Sequence, residues 1–322
     1  MNTLRGIRVL VTGAAGFIGA NLARELVTGG AEVHAIIRPG TRLWRIEEMV
    51  PDLVLHSVDL GERAMVRKTV RSVRPEAVFH LAACGVSPAH QDRDEILKCN
   101  VLGTVNLLEA TAPLDCRRFV HMGGSSEYGP KNRPIKECDG TAPVTYYGAT
   151  KAAASILCRQ FARASRLPVV ILRPFSVYGY WEAPARLIPT AVKAACSGDE
   201  MALTPPGYRR DFIFVEDVVE ACLLALKSGG IDGEILNIGS GEQWANEEVV
   251  DMVKAVTGRE IRVQLGKYPA RPSDTTNWVA DIRKAGDMLG WRPRHALRLG
   301  LEKTVAWLRL HAREYGLEEA RR

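Results

Sequence analysis

Arg8-Val9-Leu10-Val11-Thr12-Gly13-Ala14-Ala15-Gly16-Phe17-Ile18-Gly19 is the stretch on which the reading of this 322-residue chain turns. A short apolar run ends at Thr12, and glycines follow at 13, 16 and 19. A helical pattern then opens at Phe17, carries Leu22 and Leu26 on one face, and stops at Gly29-Gly30. Strand, glycine loop and helix in that order make a tight turn whose backbone approaches a ligand closely, with a helix N-terminus to receive an anion. The spacing therefore predicts a dinucleotide pyrophosphate held at Gly13, Gly16, Phe17, Ile18 and Gly19.

Working outward, apolar runs recur at 33–37, 53–58, 77–81, 118–122, 169–172 and 234–238, with helical patterns between them. Buried parallel strands read as such continuous runs. Strand–helix alternation with right-handed crossovers gives an α/β fold, a doubly wound parallel sheet of about seven strands. Beyond Pro174 the pattern loosens. The segment 181–207 is rich in proline with one helical stretch at 188–196, 212–227 returns to strand and helix, and a short strand (261–265) precedes a final helix (301–315). We expect a dinucleotide-binding domain from 1–178 and 208–244, and a smaller mixed α/β substrate lobe from 179–207 and 245–322.

Composition is that of an ordinary globular protein, 46% hydrophobic and 25% charged. The net charge of +6 comes from scattered residues with no basic stripe, so nucleic acid is not an expected partner. Seven cysteines form no CxxC and no paired spacing, which predicts reduced thiols, a cytoplasmic location and no metal site. No signal peptide and no membrane-spanning run is read in the chain.

Chemistry is suggested by Tyr147-Gly148-Ala149-Thr150-Lys151. Residues i and i+4 share a helix face, and a lysine cation beside a phenol lowers a pKa that is otherwise near 10. The pair is read as a tuned proton carrier. At the end of the second strand, where a carboxylate commonly meets the ribose 2′-hydroxyl of NAD, the chain has Arg38. An arginine there suits a 2′-phosphate, so the reading favours NADP(H), with NAD(H) as the other.

In these and further motifs the chain resembles the extended short-chain dehydrogenase/reductases of the nucleotide-sugar epimerase, dehydratase and 4-ketoreductase type, Rossmann-type proteins. The motifs are Asp59-Leu60, His80-Leu81-Ala82-Ala83, Asn100 to Thr104, Leu172-Arg173-Pro174, Arg210-Asp211-Phe212-Ile213 and Asn237 to Gly241. The resemblance implies that Asp59 and Leu60 hold the adenine and that Leu81, Ala82 and Ala83 line the path to the nicotinamide. It also implies that Lys151 holds the nicotinamide ribose, that Pro174 backs the ring, and that Asn100 is structural. Arg210 and Arg271 match positions that grip a substrate diphosphate, which arginine's fork suits. The family commonly dimerises beside the Tyr147 helix, and 152–157 permits such a face.

One departure matters. The family places a catalytic Ser or Thr four residues before Tyr128, where this chain has Gly124. Ser125 is read as the stand-in catalytic hydroxyl, with Ser126 or a water as the alternatives, and Ser126 and Ser176 are also read as facing the sugar. The carboxylates that make a 4,6-dehydratase are replaced by Ser125 and Ser126, and Glu127 falls one residue late. The resemblance therefore implies NADPH-dependent reduction of a nucleotide-linked 4-keto-6-deoxy sugar at C4, in deoxysugar biosynthesis. The alternatives are an NAD-dependent epimerase, then a dehydratase or a non-catalytic NAD(P)-binding regulator.

Overall fold

A computed structural model describes residues 4–86 and 92–317. Seven parallel strands form the central sheet: β1 (Arg8–Thr12), β2 (Glu32–Ile37), β3 (Leu53–Ser57), β4 (Ala77–His80), β5 (Arg118–Met122), β6 (Val169–Pro174) and β7 (Ile235–Ile238). Their order across the sheet is β7-β6-β5-β4-β1-β2-β3, the doubly wound arrangement expected. Side chains alternate strictly. Val9 and Val11 of β1 enter one core and Leu10 the other, and Val170 and Leu172 of β6 oppose Val169 and Ile171. Both faces are thus buried, which is why the strands read as unbroken apolar runs.

One face is covered by α1 (Phe17–Thr28) and the helix Val215–Lys227, which share the first core with the sheet. The other is covered by α2 (Arg63–Val73), by α3 (the helical run 93–111, which contains a π-helical turn, Lys98–Leu102) and by α4 (Tyr146–Ala164). The direction of winding reverses between β1 and β4, and their carboxyl ends open the crevice where such sheets bind ligands.

The smaller C-terminal region is built from Leu187–Ser197, Asn246–Thr257 and Leu297–Leu310, with the short parallel pair Glu200–Leu203 and Arg262–Leu265. The last helix starts at Leu297, ahead of the expected 301, and breaks at His311 before the turn Ala312–Tyr315. No described helix is long and apolar enough to cross a membrane.

Candidate active site

The glycine loop is built by close approach. Gly13 has φ +75°, and a Cβ there would lie 2.7 Å from the backbone nitrogen of Ala82 and 2.8 Å from the carbonyl carbon of Leu81. The loop is thus pressed onto the end of β4, at the switch point. A Cβ on Gly19 would meet the Gly13 carbonyl at 2.0 Å. Gly16 begins α1 with no side-chain cap, and Phe17 and Ile18 are half-buried in its first turn. A cradle that a single methyl would fill, facing an uncapped helix N-terminus, fits a dinucleotide pyrophosphate.

A buried latch fixes the loop. The Thr12 hydroxyl lies 2.7 Å from His80 Nδ1 and accepts from the Ala82 N–H at 3.2 Å, while His80 Nε2 meets Thr104 at 2.8 Å. Burial drops the imidazole to about 3, so His80 is neutral and works by donating through one nitrogen and accepting through the other. Asn100 accepts from the Cys84 N–H and donates to the Cys84 carbonyl and to Thr150, bracing α3 against α4. Leu81, Ala82 and Ala83 are half-buried along this edge, and Pro174 is buried at the end of β6.

Arg38 stands one residue beyond β2, and its half-exposed guanidinium is ion-paired with Glu95 of α3. The Asp59 carboxylate accepts from the Gly61 N–H at 2.8 Å and pairs with Lys98 at 3.0 Å. Leu60 is buried against Gly103, in the core rather than along an open face.

Tyr147 and Lys151 lie one turn apart on α4, whose first turn is capped by the Thr145 hydroxyl accepting from the Gly148 N–H at 3.0 Å. Lys151 is buried and donates its ammonium to the Met122 carbonyl at 2.5 Å. The Tyr147 phenol is pushed up rather than down, first by burial and then by the Glu127 carboxylate, with the Arg186 guanidinium acting the other way. Burial also lowers Lys151, opposed chiefly by Glu127.

Glu127 turns inward, as its register requires. It is fully buried and bonds Arg173 at 2.6 and 2.8 Å, the Ser155 hydroxyl at 3.0 Å and the Gly124 N–H at 2.8 Å. It does not face the crevice as a base. Beside it the Ser125 hydroxyl accepts from the Trp278 indole at 3.3 Å, whereas the Ser126 hydroxyl is buried without a partner.

Arg210 is held by Asp274 at 2.5 Å and by the Ser273 carbonyl at 3.0 Å, and stacks over Trp278. The same Asp274 accepts from the Arg271 N–H at 2.8 Å, and the Arg271 guanidinium pairs with the Tyr268 hydroxyl. Burial lowers Arg210, Asp274 opposes this, and Arg271 and Arg186 add to the lowering. Arg186 thus acts through its charge on both Arg210 and Tyr147, and its guanidinium pairs with Glu182 at 3.7 Å. In the sequence Arg186 stands out only within Arg186-Leu187-Ile188-Pro189, a stretch that resembles the 4-ketoreductases, and it was not among the expected site residues. Ser176 is half-buried, in a short strand paired with Phe212. Among the described residues no group of three or more His, Cys, Asp or Glu is placed to hold a metal.

The sequence model of the NAD dependent epimerase/dehydratase family matches residues 9–239. A dTDP-glucose 4,6-dehydratase of Xanthomonas campestris is 31% identical, covering 92% of each chain. A UDP-glucose 4-epimerase of Lactobacillus helveticus is 31% identical, covering 90% of this chain and 93% of that one. Among solved structures, MoeE5 in complex with UDP-glucuronic acid and NAD superposes with a TM-score of 0.84 at 35% identity, over 94% of this chain and 99% of that one.

Proposed function

The chain belongs to the NAD-dependent epimerase/dehydratase family, and from this premise we propose that it interconverts C4 epimers of a nucleotide-linked hexose while retaining NAD. The observation that carries this reading is the Arg38–Glu95 ion pair. A cation already matched by a carboxylate offers little to a 2′-phosphate, and the carboxylate repels one. The NAD held by MoeE5 agrees. The substrate class we propose is a UDP-hexose or UDP-hexuronic acid, as in that complex and in a UDP-glucose 4-epimerase of Thermotoga maritima bound to UDP-glucose, 28% identical with a TM-score of 0.86.

The glycine cradle and the α1 N-terminus would hold the pyrophosphate of the cofactor. When bound, the oxidised nicotinamide accepts hydride from carbon and brings a positive charge that lowers the pKa of a nearby phenol. Tyr147 would take the proton from the sugar C4 hydroxyl and give it back to the same oxygen once hydride has returned to the opposite face of C4. Lys151, anchored on Met122, fixes the register of α4 against β5 and contributes charge. Arg210 and Arg271, set by Asp274, hold the diphosphate, so that C4 is oriented by remote contacts. The segments 179–207 and 245–317 form the substrate lobe in this reading. Exposed Leu97, Leu102 and Ile156 on α3 and α4 support a homodimer through those helices.

A second reading is reduction of a 4-keto-6-deoxy sugar by NADPH. It is favoured by Arg38 standing where a 2′-phosphate would be gripped. Dehydration is disfavoured, because Ser125 and Ser126 carry no carboxylate and Glu127 is committed to Arg173. The test is mass analysis of the nucleotide released on denaturing purified protein, followed by assay of the Tyr147→Phe variant. Retained NAD, with turnover lost at least a thousandfold and the nucleotide still bound, supports epimerisation. An empty site with NADPH consumed on a 4-keto sugar refutes it.

A further inference from the structure

The family position for the sugar-facing hydroxyl is Gly124, and the surroundings of that glycine are unusual. Its backbone is extended (φ 179°), which any residue adopts, and a Cβ built there meets only one atom within 4 Å, the Ser126 hydroxyl at 3.6 Å. Glycine is therefore not required by close packing. The hollow is walled by a hydroxyl from two residues further on.

That hydroxyl is the unpaired one. Ser126 Oγ is closed to water and has no hydrogen-bond partner, a state that is destabilising unless something else repays it. The neighbouring Ser125 hydroxyl, by contrast, is engaged by the Trp278 indole. Ser126 also sits against the proton carrier's own helix, since a Cβ on Gly148 would meet the Ser126 carbonyl at 2.5 Å. The residue as a whole is half-buried, and its hydroxyl already borders the hollow.

We infer that Ser126, rather than Ser125, is the catalytic hydroxyl of this chain, its Oγ occupying the space vacated at Gly124 and hydrogen-bonding the C4 oxygen that Tyr147 protonates. The assignment rests on the proposed C4 chemistry. A donor placed on a developing oxyanion is worth about 10²–10³ in kcat, so Ser126→Ala should lose that much kcat with KM changed less than threefold. It should unfold no more readily than the wild type, because it removes an unsatisfied group. Ser126→Thr keeps the hydroxyl and should keep most of the activity.

The decisive variant is Gly124→Ser combined with Ser126→Ala, assayed by conversion of UDP-glucose and UDP-glucuronic acid. Restoring a hydroxyl at the position where the family places it should recover at least tenfold of the lost kcat. If Ser126→Ala keeps wild-type kcat, or if the whole loss appears in Ser125→Ala instead, the assignment is overturned while the C4 chemistry stands. If the wild-type protein converts no nucleotide sugar, the C4 chemistry falls and takes the assignment with it.

Discussion

Replacing Glu127 by leucine should be the costliest single change near the crevice. The carboxylate is fully exposed to protein and not at all to water, and it neutralises Arg173, which is itself buried and stacked over the Tyr128 ring at 4.4 Å. Leucine has comparable bulk, so little cavity is made. What it leaves is an unpaired buried guanidinium, together with the Gly124 N–H and the Ser155 hydroxyl without their acceptor. Breaking a buried pair by removing one partner costs about 3–5 kcal/mol, and most of that is the uncompensated charge. The prediction follows that Glu127→Leu loses about 4 kcal/mol in equilibrium urea unfolding followed by tryptophan fluorescence, read as a lower midpoint at unchanged slope. Adding Arg173→Met to the same chain removes the orphaned charge and should recover more than half of the loss, a coupling that a double-mutant cycle measures directly. A loss under 1 kcal/mol for Glu127→Leu, or additive losses in the double variant, would refute the argument that this pair holds the loop after β5.

Two further outcomes are expected. Glu95→Gln keeps a hydrogen-bond acceptor for Arg38 but removes the opposing charge. Affinity for NADP⁺ should rise roughly tenfold, about 1.4 kcal/mol, with NAD⁺ little changed in calorimetric titration; unchanged preference would show that Arg38 lies outside the ribose site. Glu182 is buried with one carboxylate oxygen unpartnered, and burial, only partly offset by Arg186, raises it to about 7. A raised carboxyl contributes stability that is complete below its ordinary value of 4.5 and is lost as pH rises through about 7. Glu182→Gln should therefore flatten the stability–pH curve over that interval and exceed the wild type at pH 8 by up to about 3 kcal/mol. A parallel pair of curves would contradict it.

The sheet was legible because burial on both faces leaves each strand a run of apolar residues, and all seven expected runs fall on the seven strands with shifts of one or two residues. Of the short pairs, the strand at 262–265 was expected, but its partner 200–203 and the pair 209–210 with 244–245 were not, since their partners lie far apart in the chain and two to four residues carry no period of their own. The glycine loop was legible for a similar reason, since its close contacts to β4 demand glycine at fixed spacing. Partners were not. Arg38 reads as a free cation until Glu95, 57 residues on, is folded against it. Ser125 reads as the nearest hydroxyl until Trp278, 153 residues on, donates to it. Tyr147 and Lys151 read as a tuned pair from their spacing. What that spacing omits is the Met122 carbonyl that takes the ammonium and the Glu127 carboxylate that raises the phenol.

The most direct test of the account is proton NMR of UDP-glucose and of UDP-glucuronic acid incubated with purified protein and no added cofactor. Appearance of the C4 epimer up to an equilibrium ratio, with no net change in nucleotide redox state, is the predicted result. Conversion that stops without added NADPH, or that yields a net reduced or dehydrated sugar, would contradict it.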